Sequence, residues 1–239
     1  PIKNENSKVS QTIFRVNGGH NRSTEGYSSG IGLNTELEFF MRDNSYISLK
    51  CDCTVMRGKN FTETRNVVDA PFIESLAKYN LQLAYYSPRT NKIRPYVKFG
   101  LGTDGYRSDD PSIDLQSESA TLGAGLILTT STQLRASLNF FEYQKQNNWS
   151  IWQEDNLFGY FEKEMISSGI DIDWFPGTNQ EFRLKAFIYG IRASDARAFR
   201  VNASGFMTAA IDDLNEFQLS EVAFQVRYKY EFSPLSNLY

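Results

Sequence analysis

Val222-Ala223-Phe224-Gln225-Val226-Arg227-Tyr228-Lys229-Tyr230-Glu231-Phe232 alternates at every step between an apolar or aromatic residue and a small, polar or charged one. Successive side chains of a strand point to opposite faces. Val222, Phe224, Val226, Tyr228, Tyr230 and Phe232 therefore form a greasy face, and Ala223, Gln225, Arg227, Lys229 and Glu231 an ionic one. The stretch also matches the roughly 9–11 residues that a tilted strand needs to cross a bilayer. It fits either a membrane or the surface of a soluble sheet, and the rest of the chain has to decide.

The pattern recurs. Ile31, Leu33, Thr35, Leu37 and Phe39 oppose Gly32, Asn34, Glu36 and Glu38, and Ile47, Leu49, Cys51, Cys53 and Val55 oppose Ser48, Lys50, Asp52 and Thr54. Tyr79 to Tyr85, Ile93 to Leu101, Leu122 to Leu128, Leu134 to Phe140, Ile170 to Trp174 and Phe182 to Ile188 repeat it, and residues 11–16 supply a less regular first strand. Pro95 cannot donate to a ladder and suits an edge, a strand start or a bulge. The total is about ten strands, with an eleventh beginning at Leu235, in a chain expected to hold about 10–12.

Short turns at residues 42–44, 87–91, 129–131, 176–179 and Ser233-Pro234 alternate with long connections at residues 58–76, 105–117, 144–164 and 194–215. Residues 18–29 read as a further Gly/Asn/Ser-rich loop. In the first long connection Asp69 and Pro71 suit the cap and first turn of a short helix. All long loops fall at one end of the meander, as in bacterial outer-membrane barrels.

A chain of 239 residues suits one all-β domain, with residues 1–9 as an extended segment and residues 10–239 as the barrel. A mean hydropathy of -0.44 and the lack of an apolar run near 20 residues argue against spanning helices, but not against a transmembrane barrel with a polar interior. The net charge of -3 gives no case for nucleic acid. Pro1-Ile2-Lys3-Asn4 shows no basic-then-apolar leader, which suits a mature product or a fragment.

Two features favour the membrane. The strands run to roughly 10–15 residues, against about 5–6 in soluble domains. Aromatics also gather at the short-turn ends: Phe39, Phe40, Tyr46, Tyr85, Tyr86, Trp174, Phe175, Phe182, Tyr230 and Phe232 are the expected interfacial girdle. On this register Glu36, Glu38, Lys50, Asp52, Arg94, Lys98, Arg135, Asp171, Asp173, Glu181, Arg183, Lys185, Arg227, Lys229 and Glu231 face a mixed-charge lumen. A basic side chain turned to lipid at mid-bilayer costs about 2–4 kcal/mol, which guards the register.

Residues 225–239, above all Arg227-Tyr228-Lys229-Tyr230-Glu231 and Pro234-Leu235-Ser236, resemble the penultimate strand, turn and start of the last strand of a C-terminal β-barrel domain of unknown function in bacterial outer-membrane proteins. In that family the barrel often follows a family-9 carbohydrate-binding-like domain. The resemblance implies the C-terminal part of a longer protein and brings no catalytic residues.

The chemistry-bearing residues are sparse. Cys51 and Cys53 read as small hydrophobes sharing one face rather than half of a metal or redox site, since a single His and no second Cys pair are present. His20 with Asp109 and Asp110 is the one hydrolase constellation available. Asp171 and Asp173 suit a cation or, with Arg183 and Lys185, an ion-pair network. Trp149, Trp152, Phe158, Tyr160 and Phe161 suit sugar stacking or a folded hairpin.

The expectation is an all-β antiparallel meander forming a transmembrane outer-membrane barrel, complete or not, without cofactor or catalytic residues. It acts as a pore, transporter or surface-binding component, with outer-membrane lipid as its surroundings and small solutes or glycans as candidate ligands. A barrel hydrolase and a soluble β-sheet binding module are the rivals.

Overall fold

The computed structural model describes residues 8–22, 28–54, 58–60, 72–131, 133–154 and 156–231. They form an antiparallel meander of long strands: β1 (Val9–Arg22), β2 (Ser28–Met41), β3 (Tyr46–Thr54), β6 (Tyr79–Tyr86), β7 (Ile93–Gly105), β8 (Gln116–Ser131), β9 (Leu134–Glu154), β10 (Leu157–Gly177), β11 (Gln180–Val201) and β13 (Phe217–Tyr230), each paired with its neighbours in that order. Three short strands sit in the long connections. β4 (Gly58–Asn60) pairs with β5 (Ile73–Ser75), and β12 (Met207–Ala209) pairs with the end of β11.

The alternating segments are strands because each presents one apolar and one polar row to matching rows on its neighbours. Leu49 stands opposite Leu37 and Leu83, while Lys50 stands opposite Glu36 and Gln82. Pro95 lies just past the end of β6, where its carbonyl accepts from Ser87 N at 3.0 Å and no donor is required of it. That is the strand-start solution for a proline.

Several boundaries differ from expectation. Residues 18–22 are not loop but the end of β1, with Gly19 opposite Gly32 and His20 opposite Ile31, because pairing to a regular neighbour overrides their weak strand propensity. Residues 73–75 are strand rather than helix, and the expected cap at Asp69 and Pro71 lies outside the described residues. Most of residues 144–164 is the upper half of β9 and β10, and residues 194–201 extend β11. The fifth short turn, the strand beginning at Leu235 and most of the N-terminal segment also lie outside the described residues.

The sheet is strongly curled. Backbone bonds tie Met207 N to Arg107 O at 2.8 Å, Arg107 N to Glu74 O at 2.9 Å and Glu74 N to Gly205 O at 2.8 Å. β12 and β7 are separated in the sheet by β8 to β11, about 24 Å if the sheet were flat. Arg107 is only two residues past β7, a reach of about 7 Å, so the sheet bends until these strand ends meet. It does not close: among the described residues β1 pairs only with β2, and β13 only with β11.

Candidate functional site

The polar rows line the concave side. A cavity of about 610 Å³ there is bordered by Glu38, Lys50, Gln82, Lys98, Glu142 and Gln144 among others. Many of the charges on this side pair with one another between strands. Arg15 donates to Glu36 and Glu38, each at 2.8 Å, Lys50 reaches Glu36 at 2.8 Å, and Lys98 lies 4.0 Å from Glu142. Asn34 donates to Asp52. Further round, Lys185 pairs with Asp171 at 3.0 Å, and Arg183 with Asp173 at 3.4 Å and with Glu181. Solvent screens half-exposed pairs of this kind and leaves them little weight in stability, so their main effect is to cancel charge.

Register sets Arg135 opposite Asp173, Arg227 opposite Arg183, and Lys229 opposite Glu181. Arg94 donates from Nε to Ser87 O at 3.4 Å, and Glu231 follows β13, its backbone held to Asn179 O at 2.9 Å.

The expected girdle splits between the two faces. Tyr85 and Trp174 are exposed on the apolar side, where Trp174 meets Phe182 at 6.4 Å, and register puts Phe39 and Tyr230 in apolar rows. Tyr46 departs from expectation, as do Phe40 and Tyr86. They lie on the polar side in a stack across β2, β3, β6 and β7, with centroids 5.7 Å for Phe40 and Tyr46, 4.7 Å for Tyr46 and Tyr86, and 5.5 Å for Tyr86 and Tyr96. Arg89 caps the stack over Phe40 and Tyr46. The signal was parity: Tyr46, Ser48 and Lys50 share one row, which proximity to a turn had masked. Phe232 lies outside the described residues.

At the long-loop end Ile73, Leu115, Phe158, Tyr160, Phe199, Val201 and Met207 form a compact buried cluster. It draws on the connections after β3, β7 and β11 and on the tips of β10 and β11. Tyr160 is fully buried, and burial holds its hydroxyl well above the usual phenol range. Asn148 ties the cap to the sheet, accepting from Arg197 at Oδ1 and donating to Gln116 O at 2.7 Å. The aromatic stretch is thus a hairpin that caps the sheet, with Trp149 packed on Phe161 and Phe217 and under Lys163. Trp152 keeps 38% of its surface exposed.

The hydrolase constellation does not assemble. His20 sits on β1 opposite Ile31, whereas Asp109 accepts from Thr208 Oγ1 at 2.6 Å and from Asn202 at 3.3 Å. Asp110 accepts from Ser112 Oγ at 2.7 Å, which holds its carboxyl below the usual range. Cys51 and Cys53 are free thiols in the apolar row, opposite Leu81 and Tyr79. No family model, curated protein or solved structure matches the chain.

Proposed function

We propose that the chain forms an outer-membrane β-barrel domain of a Gram-negative bacterium, or most of one, and serves as a pore, transporter or surface-binding component with a mixed-charge lumen. One observation carries this reading: the apolar face has no cover among the described residues. Phe224 is 77% exposed, Val222 67%, Phe14 65%, Ile93 57% and Ile166 55%, so both edges and the middle of the sheet are affected. The principal buried hydrophobic cluster among the described residues is the cap at one end.

In a sandwich such rows would interdigitate with a second sheet about 10 Å away. Burying each large side chain stabilises a fold by about 1.5–3 kcal/mol, so a face of this size left in water forfeits tens of kcal/mol. Lipid supplies the missing cover. The curl of the sheet, the ionic concave side, the short turns opposite long connections and the resemblance at residues 225–239 all support the same reading.

Heat-modifiable migration on a gel, together with outer-membrane fractionation of the full-length protein, tests it. Both are expected. Recovery from the soluble fraction without detergent would instead favour a soluble sheet that binds a partner through its apolar face. Conductance in planar bilayers then separates an open pore from a plugged barrel.

A further inference from the structure

Two adjacent rungs of side chains cross β6, β7, β8 and β9 on the concave side. Asn80, Gly102, Ser119 and Gln146 make one, and Gln82, Gly100, Thr121 and Gln144 the other. Neither carries a charge, and all of these residues line the cavity. The glycines let the side chains beside them lie over the backbone in the middle of each rung: a Cβ on Gly102 would stand 2.7 Å from Ser119 Oγ, and one on Gly100 3.5 Å from Thr121 Cβ.

Several of the surrounding charges are matched, Lys50 and Arg15 by Glu36, and Lys98 by Glu142, while Lys78 and Asp104 also border the cavity. Four of the six neutral side chains are not matched, whereas Ser119 donates to Gly102 O at 3.4 Å and Gln146 to Ser117 Oγ at 2.9 Å. Asn80, Gln82, Thr121 and Gln144 make no side-chain hydrogen bond to any described residue. Amides and hydroxyls both donate and accept, and here that capacity is left to water or to a ligand that replaces it. Over these two rungs a charged solute finds no counter-charge, and an apolar one finds polar walls.

We propose that this patch binds a neutral, polyhydroxylated solute, a small saccharide. The proposal deepens the barrel reading and rests on the concave side being a water-filled lumen.

The test uses the full chain in detergent, first checked for heat-modifiable migration. It is then titrated calorimetrically with maltotriose, cellotriose and chitotriose, and with citrate and acetyl-triglycine amide for comparison. Saturable binding of at least one trisaccharide, and of neither comparison compound, is expected. Gln82→Leu combined with Gln144→Leu should weaken it about ten-fold, the loss of two hydrogen bonds, and Thr121→Val should weaken it in the same direction. Three results in a heat-modifiable chain overturn the saccharide site alone: no trisaccharide saturates, the peptide amide binds as tightly, or both variants bind unchanged. A chain that does not migrate heat-modifiably overturns the barrel reading, and this one with it.

Discussion

Gly125 shows how a single side chain's absence organises the short-turn end. It is buried against the Leu138 carbonyl of β9 and beneath Tyr96, whose Oη would lie 2.5 Å from a Cβ placed there. Tyr96 can therefore lie flat and continue the stack begun by Tyr46 and Tyr86. Gly125→Val should push Tyr96 off the wall and destabilise the fold by about 1–3 kcal/mol, the usual cost of overpacking. A lowered unfolding midpoint with a weaker near-UV tyrosine signal would report it, and an unchanged tyrosine signal would sink the account. Asp212 makes a second prediction at this scale. Arg200, 2.7 Å away, holds its carboxyl below the usual aspartate range. A depressed folded pKa means stabilisation that is present above the unfolded value, about 3.9, and lost as pH falls through the folded one. Asp212→Asn should thus cost more stability at pH 6 than at pH 2, read as the difference in melting temperature from wild type. Neither residue announced itself in the sequence, because both act through partners on other strands.

Elements with one wet and one dry face were legible, since alternation records that contrast directly. Ile47 to Thr54 or Phe182 to Ile188 could be placed by parity alone. The upper halves of β9 and β10 could not, because both of their faces are covered: Phe158 and Tyr160 pack into the cap, while Phe161 packs against Trp149 and Phe217. A segment dry on both sides loses the period-two signal and reads as an aromatic loop. Its departure from the regular sheet is marked by ladder irregularities near Asn148 and Asp195, which adopt φ of 47° and 54°. Tyr160→Ala should cost about 3–5 kcal/mol by leaving a cavity in the cap. The cap draws little from the lower sheet, so limited proteolysis should newly cut residues 106–115 while heat-modifiable migration persists. Simultaneous loss of both would mean that cap and sheet fold as one unit.

At the scale of the whole molecule, the opening stretch supplies the sharpest test of what the apolar face touches. In β13, Val226 stands opposite Leu184 and Arg227 opposite Arg183, so adjacent residues point to opposite sides of the sheet. β13 is also an edge among the described residues, with only β11 beside it. If lipid covers the apolar rows, a nitroxide on Val226→Cys in a Cys51→Ser, Cys53→Ser background should be relaxed by oxygen, which concentrates in lipid, more than by a water-soluble nickel chelate. A nitroxide on Arg227→Cys should show the reverse order. Restoring Cys51 alone places a label in the apolar row of β3, opposite Thr35 and Leu81, and should match the Val226 site. Turning a basic residue to lipid at mid-bilayer costs about 2–4 kcal/mol, so the alternation should survive reconstitution without slipping by one residue. Nickel accessibility at both Val226 and Cys51 would mean that water reaches both faces, leaving a soluble sheet whose apolar side awaits another protein.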